Sequence, residues 1–495
     1  MSGLKKLISI LSAAAVACSL ATVTASAAES YDPYSYDRWG DAVASQAGYT
    51  ADYFVDGTTI GCGAFNEPGD FFITEDDQLY IADKGNNRIV VTDLDFNLIE
   101  TLTEFDYNGE KLELKAPAGV FVDKYTDNLY ICDTDNSRVI KCDRDGNVDR
   151  LFEKPVSELY SQELTYNPQK VLVDKAGNVY VVVKSVTKGA VMYNADGEFL
   201  GFYGANRVEA TAEVIMNAFW NTISTQAQRE RNTKTTPIGF TNFDLDDDGF
   251  IYTVTDSQEI KTDAVKKLSP KGTNILETLG ATDVKFGDID PAYYSIYTKN
   301  SSLTDIDIGP NGEINILDFA HGRVFQYDKL ANLMFIIGGT GEQLGTFRNA
   351  TSVESHDNHL YVLDSRKNSI TVFTRTTFGE IVTEATNLYN DGYYEESYEP
   401  WCEVLKYDGN YRRAYIGIGN ALFQREEYKE AMKYYKISIS RGRYSKAFEG
   451  YRNEFLEKYF SLIMVLIVLL IVLIIVYKQA KKRGVFDRRR AKRRM

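Results

Sequence analysis

The chain has 495 residues, with 55 Lys and Arg against 70 Asp and Glu, three His and five Cys. A net charge of −15 argues against a nucleic-acid-binding protein, because an acidic surface repels a polyanion. Four Cys lie beyond residue 28 (Cys62, Cys132, Cys142 and Cys402), with no CxxC and no Cys/His grouping, so neither a zinc module nor a scaffold that leans on disulfides is read here.

Residues 1–28 read as a secretory leader. Lys5 and Lys6 form the charged region, an apolar run follows, and Ala25-Ser26-Ala27 is a small-residue cleavage site. A lipoprotein reading of Cys18 is the minor one, since Ala15 stands where a bulky residue is expected.

From residue 49 the chain repeats itself. LYIADKGNNRIV (79–90), LYICDTDNSRVI (129–140), INILDFAHGRVF (314–325) and LYVLDSRKNSIT (360–371) share an apolar strand ending in Asp and a short polar turn, which ends in Arg in the first three. Further copies begin at Val179-Tyr180 and Ile251-Tyr252. Counted from Tyr80, Tyr130, Tyr180, Tyr252, Asn315 and Tyr361, the intervals are 50, 50, 72, 63 and 46 residues. Each copy sits among alternating apolar runs separated by Asp, Asn and Gly turns, which predicts four antiparallel strands, A to D, per unit. Six such units predict a mainly β fold, a six-bladed β-propeller.

The residues Pro117-Ala118-Gly119 before strand A, the Leu-Tyr-apolar-Ala-Asp strand and the Gly-Asn-Asn-Arg-Ile turn resemble the NHL family of propeller repeats, over residues 49–380. The resemblance implies a fold and no activity. In such a blade the B–C turns share a face with the connections between blades. Two of those connections are long, and the one at 205–232 has helical spacing and contains Trp220. Arg88, Arg138, Trp220 and Arg323 are therefore the candidate ligand-face residues, suited to an anionic or hydroxyl-rich ligand. The plainer reading is that the arginines brace their turns beside Asp83, Asp133, Asp318 and Asp364, which accept backbone N–H bonds.

No metal-ligand set, cofactor motif or catalytic triad is read. The run Asp244 to Ile251 starts like a calcium loop, but Thr255 stands at its twelfth position, where a bidentate Glu is needed; the alternative is an Asp-rich A–B turn. His356 and His359 fall in an A–B turn, on the opposite face from His321. Cys132 is expected to face Val139 across its hairpin rather than Cys142.

Residues 381–450 change to helical spacing and resemble tetratricopeptide repeats. Tyr415, Ile418, Gly419, Leu422, Tyr428, Ala431 and Tyr435 carry the better copy, and Ala385, Leu388, Gly392 and Tyr394 the other. The run from Leu462 to Val476 has no polar residue, and with Tyr459, Phe460, Ser461 and Tyr477 it makes 19 residues, about 28 Å as a helix, enough to span a membrane. The tail, 478–495, carries ten Lys and Arg and one Asp and is expected inside. Setting aside the tail (+9) and the leader (+2) leaves −26 for the part between them.

The resulting expectation is a single-pass cell-membrane protein with an extracellular propeller. It would recognise a protein or carbohydrate ligand and dock partners on its helical repeats, a neighbouring membrane complex among them. The alternative is a surface hydrolase of the metal-dependent lactonase type. Three acidic or His side chains converging in the channel would favour the enzyme, and a channel lined by Thr, Val and Asn would favour binding.

Overall fold

The structure is a computed structural model describing residues 31–37, 39–205, 239–256, 264–276, 286–288 and 301–482. The leader, Trp220, nearly all of the 205–232 insertion and the tail beyond 482 lie outside the described residues. The chain divides into two units after Thr383.

The first unit is a six-bladed propeller. Blade 1 runs through strands Asp70–Ile73, Gln78–Asp83, Arg88–Asp93 and Leu98–Leu102, in the order A-B-C-D. Blades 2 and 3 follow the same order, with innermost strands Pro117–Val122 and Pro168–Val173. Blade 5 begins at Leu303–Ile308 and blade 6 at Ala350–His356. Blade 4 departs from the expected four strands. Among the described residues it has three, Asn242–Leu245, Ile251–Val254 and Val265–Leu268, and Asn274 adds a lone bridge to Leu268.

The ring closes in a way the repeat pattern does not announce. The outer strand of blade 6 is Tyr49–Asp56, which comes from before blade 1 and pairs with Ser369–Arg375. Val55 shares an apolar cluster with Leu363 and Val372 of blade 6 and with Phe71 and Ile81 of blade 1. The two ends of the ring are thereby knitted together, and Ser369–Arg375 is a paired inner strand rather than the edge of its sheet. The core as a whole is a series of wedges between neighbouring blades rather than one nucleus. Each fully buried Val, Ile or Leu in such a wedge contributes about 1.5–3 kcal/mol relative to exposure.

Local sequence sets the close approach of the blades. A Cβ on Gly119 would lie 2.3 Å from the Gln169 carbonyl oxygen, so only glycine lets strand A of blade 2 pass strand A of blade 3. Cys132 pairs with Val139 across the hairpin, as its turn-centred register predicts, and both Cys132 and Cys142 are buried free thiols.

In the second unit, α1 (Thr377–Asn390, which begins in the first unit), α2 (Tyr398–Tyr407), α3 (Arg412–Gln424) and α4 (Tyr428–Ile437) are short amphipathic helices. Gly419 on α3 receives the Tyr435 ring of α4, where an added Cβ would lie 2.6 Å from Cε1. The Tyr435 hydroxyl donates to Asn420 Oδ1 at 2.7 Å. Ile418, Leu422, Ala431 and Tyr435 are buried, as their spacing requires, with Trp401 fully enclosed beside them. Helix α5 (Arg441–Lys482) is one continuous run of 42 residues, about 63 Å, so the apolar stretch expected at 459–477 is the far part of a longer helix. It is long and apolar enough to cross a membrane.

Candidate functional site at the channel floor

The innermost strands place two layers of side chains around the channel. The first layer takes the residue paired with the position two after the repeat Tyr. These pairs are Asp70 with Ala82, Gly119 with Cys132, Lys170 with Val182, Asn242 with Val254, Asp305 with Leu317 and Ser352 with Leu363. The layer is bonded across the channel. Lys170 Nζ donates to Asp70 Oδ1 at 2.8 Å, Ser352 Oγ donates to the same oxygen at 3.0 Å, and the Val120 N–H reaches Asp70 Oδ2 at 3.1 Å. Asn242 Nδ2 donates to Asp305 Oδ1, and the Val353 N–H to Asp305 Oδ2 at 2.7 Å. Burial alone would push the Lys170 ammonium down; the carboxylates of Asp70, Asp305 and Glu354 outweigh it and raise the group. Burial also lifts Asp305 to about 6, against the opposing pull of Lys170.

The second layer lies opposite the repeat Tyr itself and is divided in chemistry. Blades 1 to 3 supply Phe72, Phe121 and Leu172, opposite Tyr80, Tyr130 and Tyr180. Blades 4 to 6 supply Asp244, Asp307 and Glu354, opposite Tyr252, Asn315 and Tyr361. The one repeat that replaces Tyr with Asn uses it here: Asn315 Nδ2 donates to Asp307 Oδ2 at 2.7 Å, and Ser355 Oγ donates to the same oxygen at 2.6 Å. Asp244 Oδ2 accepts the Ile308 N–H at 2.7 Å. The Glu354 carboxylate has no hydrogen-bond partner among the described residues.

Burial dominates the electrostatics of this layer. It lifts Asp244 to about 6 and Asp307 to about 8, with the neighbouring Asp244 charge adding to the latter. Glu354 is raised well above the ordinary carboxylate range, first by burial and then by Asp307. Glu354 and Asp244 are half-buried by surface area because a cavity gives water a path to them, while their carboxyl groups lie deep enough for burial to lead both shifts. That cavity holds about 500 Å³ and opens at the A–B turns. Phe72, Phe121 and Val173 line one side; Asp244, Asp307 and Glu354 line the other.

The acidic set that the sequence did not place in the channel is present: three carboxyls converge there. The sequence does not flag them because each lies within a strand, Asp244 in NFDL, Asp307 two residues after Asp305 in LTDIDI and Glu354 in ATSVESH, with no spacing that links one to another. Asp244 belongs to strand Asn242–Leu245 and not to the Asp-rich turn, which starts at Asp246. The carboxylates of the calcium-like run diverge: Asp246 pairs with Lys267 at 2.9 Å and Asp247 with Lys124 at 2.6 Å. Among the described residues, no group of three or more His, Cys, Asp or Glu is arranged to hold a metal ion.

On the opposite face, Arg88 and Arg138 are engaged in their turns. Arg88 Nε pairs with Asp83 Oδ2 and Arg138 Nε with Asp133 Oδ2, each at 2.7 Å. Further donors of both arginines reach carbonyls, Gly63 O at 3.0 Å and Glu113 O at 3.1 Å. Arg323 pairs with Asp288 at 2.6 Å and donates to the Tyr34 hydroxyl at 2.8 Å. Asp83, Asp133, Asp318 and Asp364 are fully buried. Asp83 and Asp133 take their backbone N–H bonds not from their own turns but from Asn66 and Lys115, in the loops leading into strand A. His321 lies against Asp318 at 2.7 Å, and His356 against Asp77 at 3.0 Å on the other face.

No known family pattern matches the chain, and no curated protein matches it. Solved structures do. Virginiamycin B lyase from Staphylococcus aureus is similar with a TM-score of 0.38 at 10% identity, covering 62% of this chain and 95% of that one. A gluconolactonase from Xanthomonas campestris gives 0.40 at 11% identity, covering 63% and 87%. Hydrazine synthase from Kuenenia stuttgartiensis gives 0.37 at 11%, covering 63% and 96%.

Proposed function

We propose that this chain is a membrane-anchored recognition protein whose propeller takes its ligand in the cavity at the A–B turns. The observation that carries the reading is the cavity itself: about 500 Å³, within the ordinary range for ligand sites, with an apolar side made by Phe72, Phe121 and Val173. The ligand is a small molecule or one protruding group of a protein or glycan. The blades are of the NHL type. The helices between Thr377 and Ile437 are tetratricopeptide-like and offer a second surface for a protein partner, such as a neighbouring membrane complex. Helix α5 is the anchor. The leader sends the propeller outward and the basic tail stays inside.

The test uses intact cells carrying the full chain. Ligands found on peptide and glycan arrays should bind these cells, and Leu245→Trp, which fills the cavity wall, should weaken binding at least about tenfold. Arg138→Lys, which keeps the charge beside Asp133 on the opposite face, should leave binding unchanged. The reverse outcome moves the site to the B–C turns.

A second reading, a hydrolase, is favoured by the convergence of the carboxyls. Burial raises both the Asp307 and the Glu354 carboxyl, the direction a general acid requires.

A further inference from the structure

We infer that the cavity takes an organic cation, a primary ammonium on an apolar stem, with the ammonium against Asp307 and Glu354 and the stem against Phe72 and Phe121. The inference rests on the cavity being the ligand site and adds the class of ligand.

The walls decide the sign of the charge. Among the described residues two cations line the cavity, and each is committed to carboxylates. Lys124 lies between Asp247 at 2.6 Å and Glu75 at 3.2 Å. Arg144 pairs with Asp76 at 2.7 Å and also meets Asp127. The Arg144 bonds hold the Asp76 carboxyl down at about 2, so that pair persists as ions. An anionic ligand would have to displace one of these pairs and then face three acids. A cation meets none of that opposition.

The floor supplies the counter-charge. The Glu354 carboxyl is deep in the structure, faces the cavity and has no hydrogen-bond partner among the described residues. The charged groups around it are Asp307, Lys170, Asp244 and Asp305. Lys170, the one cation of that set, is tied to Asp70 in the layer below. An unpartnered carboxyl of this depth is costly to ionise alone and gains most from an incoming cation.

The apolar side sets the rest of the ligand. The Phe72 and Phe121 rings lie 5.0 Å apart, centroid to centroid, and form a wall suited to an alkyl or aryl stem. A strongly hydrated bare metal ion has no use for such a wall.

Binding is then coupled to protons. A cation favours the ionised carboxyls, so its arrival releases protons from groups that hold them in the free protein. Affinity should rise with pH until Asp307, at about 8, is ionised without help.

The experiment is calorimetry on the full chain in detergent micelles, run in two buffers of different ionisation enthalpy. The probes are n-pentylamine, pentan-1-ol and pentanoate. Pentylamine should bind with proton release, the alcohol at least about tenfold more weakly, and pentanoate not at all. Glu354→Gln and Asp307→Asn should each weaken the amine about tenfold or more and reduce the protons released, with the alcohol unchanged. Equal binding of amine and alcohol, both lost in Leu245→Trp, would overturn the cation and keep the cavity. Amine binding that survives Leu245→Trp would overturn both. Failure of every probe to bind would also overturn the inference.

Discussion

Deleting residues 49–56 is expected to abolish the monomeric propeller. That strand makes seven register pairs with Ser369–Arg375. Its Tyr49 is fully buried, and the Tyr49 hydroxyl accepts from Gln326 at 3.1 Å and Arg375 at 3.0 Å. Without it, the last blade presents a seven-residue strand with unpaired N–H and C=O groups, and the apolar wedge shared with blade 1 opens. Sedimentation and circular dichroism should show aggregation or loss of the cooperative strand transition. Phe54→Ser is the control. Phe54 is 58% exposed, and a surface change of this kind ordinarily stays within about 0.5 kcal/mol. A deletion that remained monomeric with an unchanged melting temperature would mean that the ring closes by other means.

Lys170→Met has the second large effect. The substitution keeps the stem and removes the cation from a layer holding Asp70, 3% exposed, and Asp305, 1% exposed. Removing one partner of a buried pair costs about 3–5 kcal/mol, because the remaining charge has no compensation. Asp70→Asn in the same chain should recover part of the loss, and recovery measures the coupling between the two groups. The pH dependence has a definite sign. Asp244 and Asp305, at about 6, and Asp307, at about 8, all bind protons more tightly in the folded chain than at the ordinary 3.8. The folded state holds the extra protons between about pH 4 and 8, so stability falls as pH rises through that window. Lys170→Met should deepen the fall, since its ammonium pulls Asp305 and Glu354 down. Denaturation at pH 5 and pH 8 reads both effects, and a variant equal to the parent at both would refute the account of this layer.

The blades were legible because their rules are local. Alternation, Asp-ended strands and polar turns recur at a fixed interval, so the repeats at Tyr80, Tyr130 and Tyr361 predict strands B and C without any distant contact. The hairpin register of Cys132 followed from the same counting. What escaped was non-local. Nothing in the sequence YTADYFVD says that its partner lies more than three hundred residues later, because an outer strand carries only alternation. The channel layers escaped for a related reason. Asp305 and Asp307 stand two apart in LTDIDI, a pattern that reads as a strand with one polar face. Only ring closure turns that face toward the carboxyls of blades 4 and 6. The arginines drew attention because Arg beside a turn is conspicuous in a repeat, and their ion pairs with fully buried Asp83 and Asp133 give them a bracing role first.

The most direct test of the acid-floored cavity needs no ligand. Carbodiimide with glycine ethyl ester couples most readily to carboxyls that keep their protons and can be reached by solvent. At pH 7 the full chain is treated briefly and each acidic residue is read by mass spectrometry. Glu354, which the cavity exposes, is expected to be modified early and to be protected by Leu245→Trp, while the fully buried Asp83, Asp133, Asp318 and Asp364 stay unmodified. Glu354 unmodified while ordinary surface acids react would contradict the account.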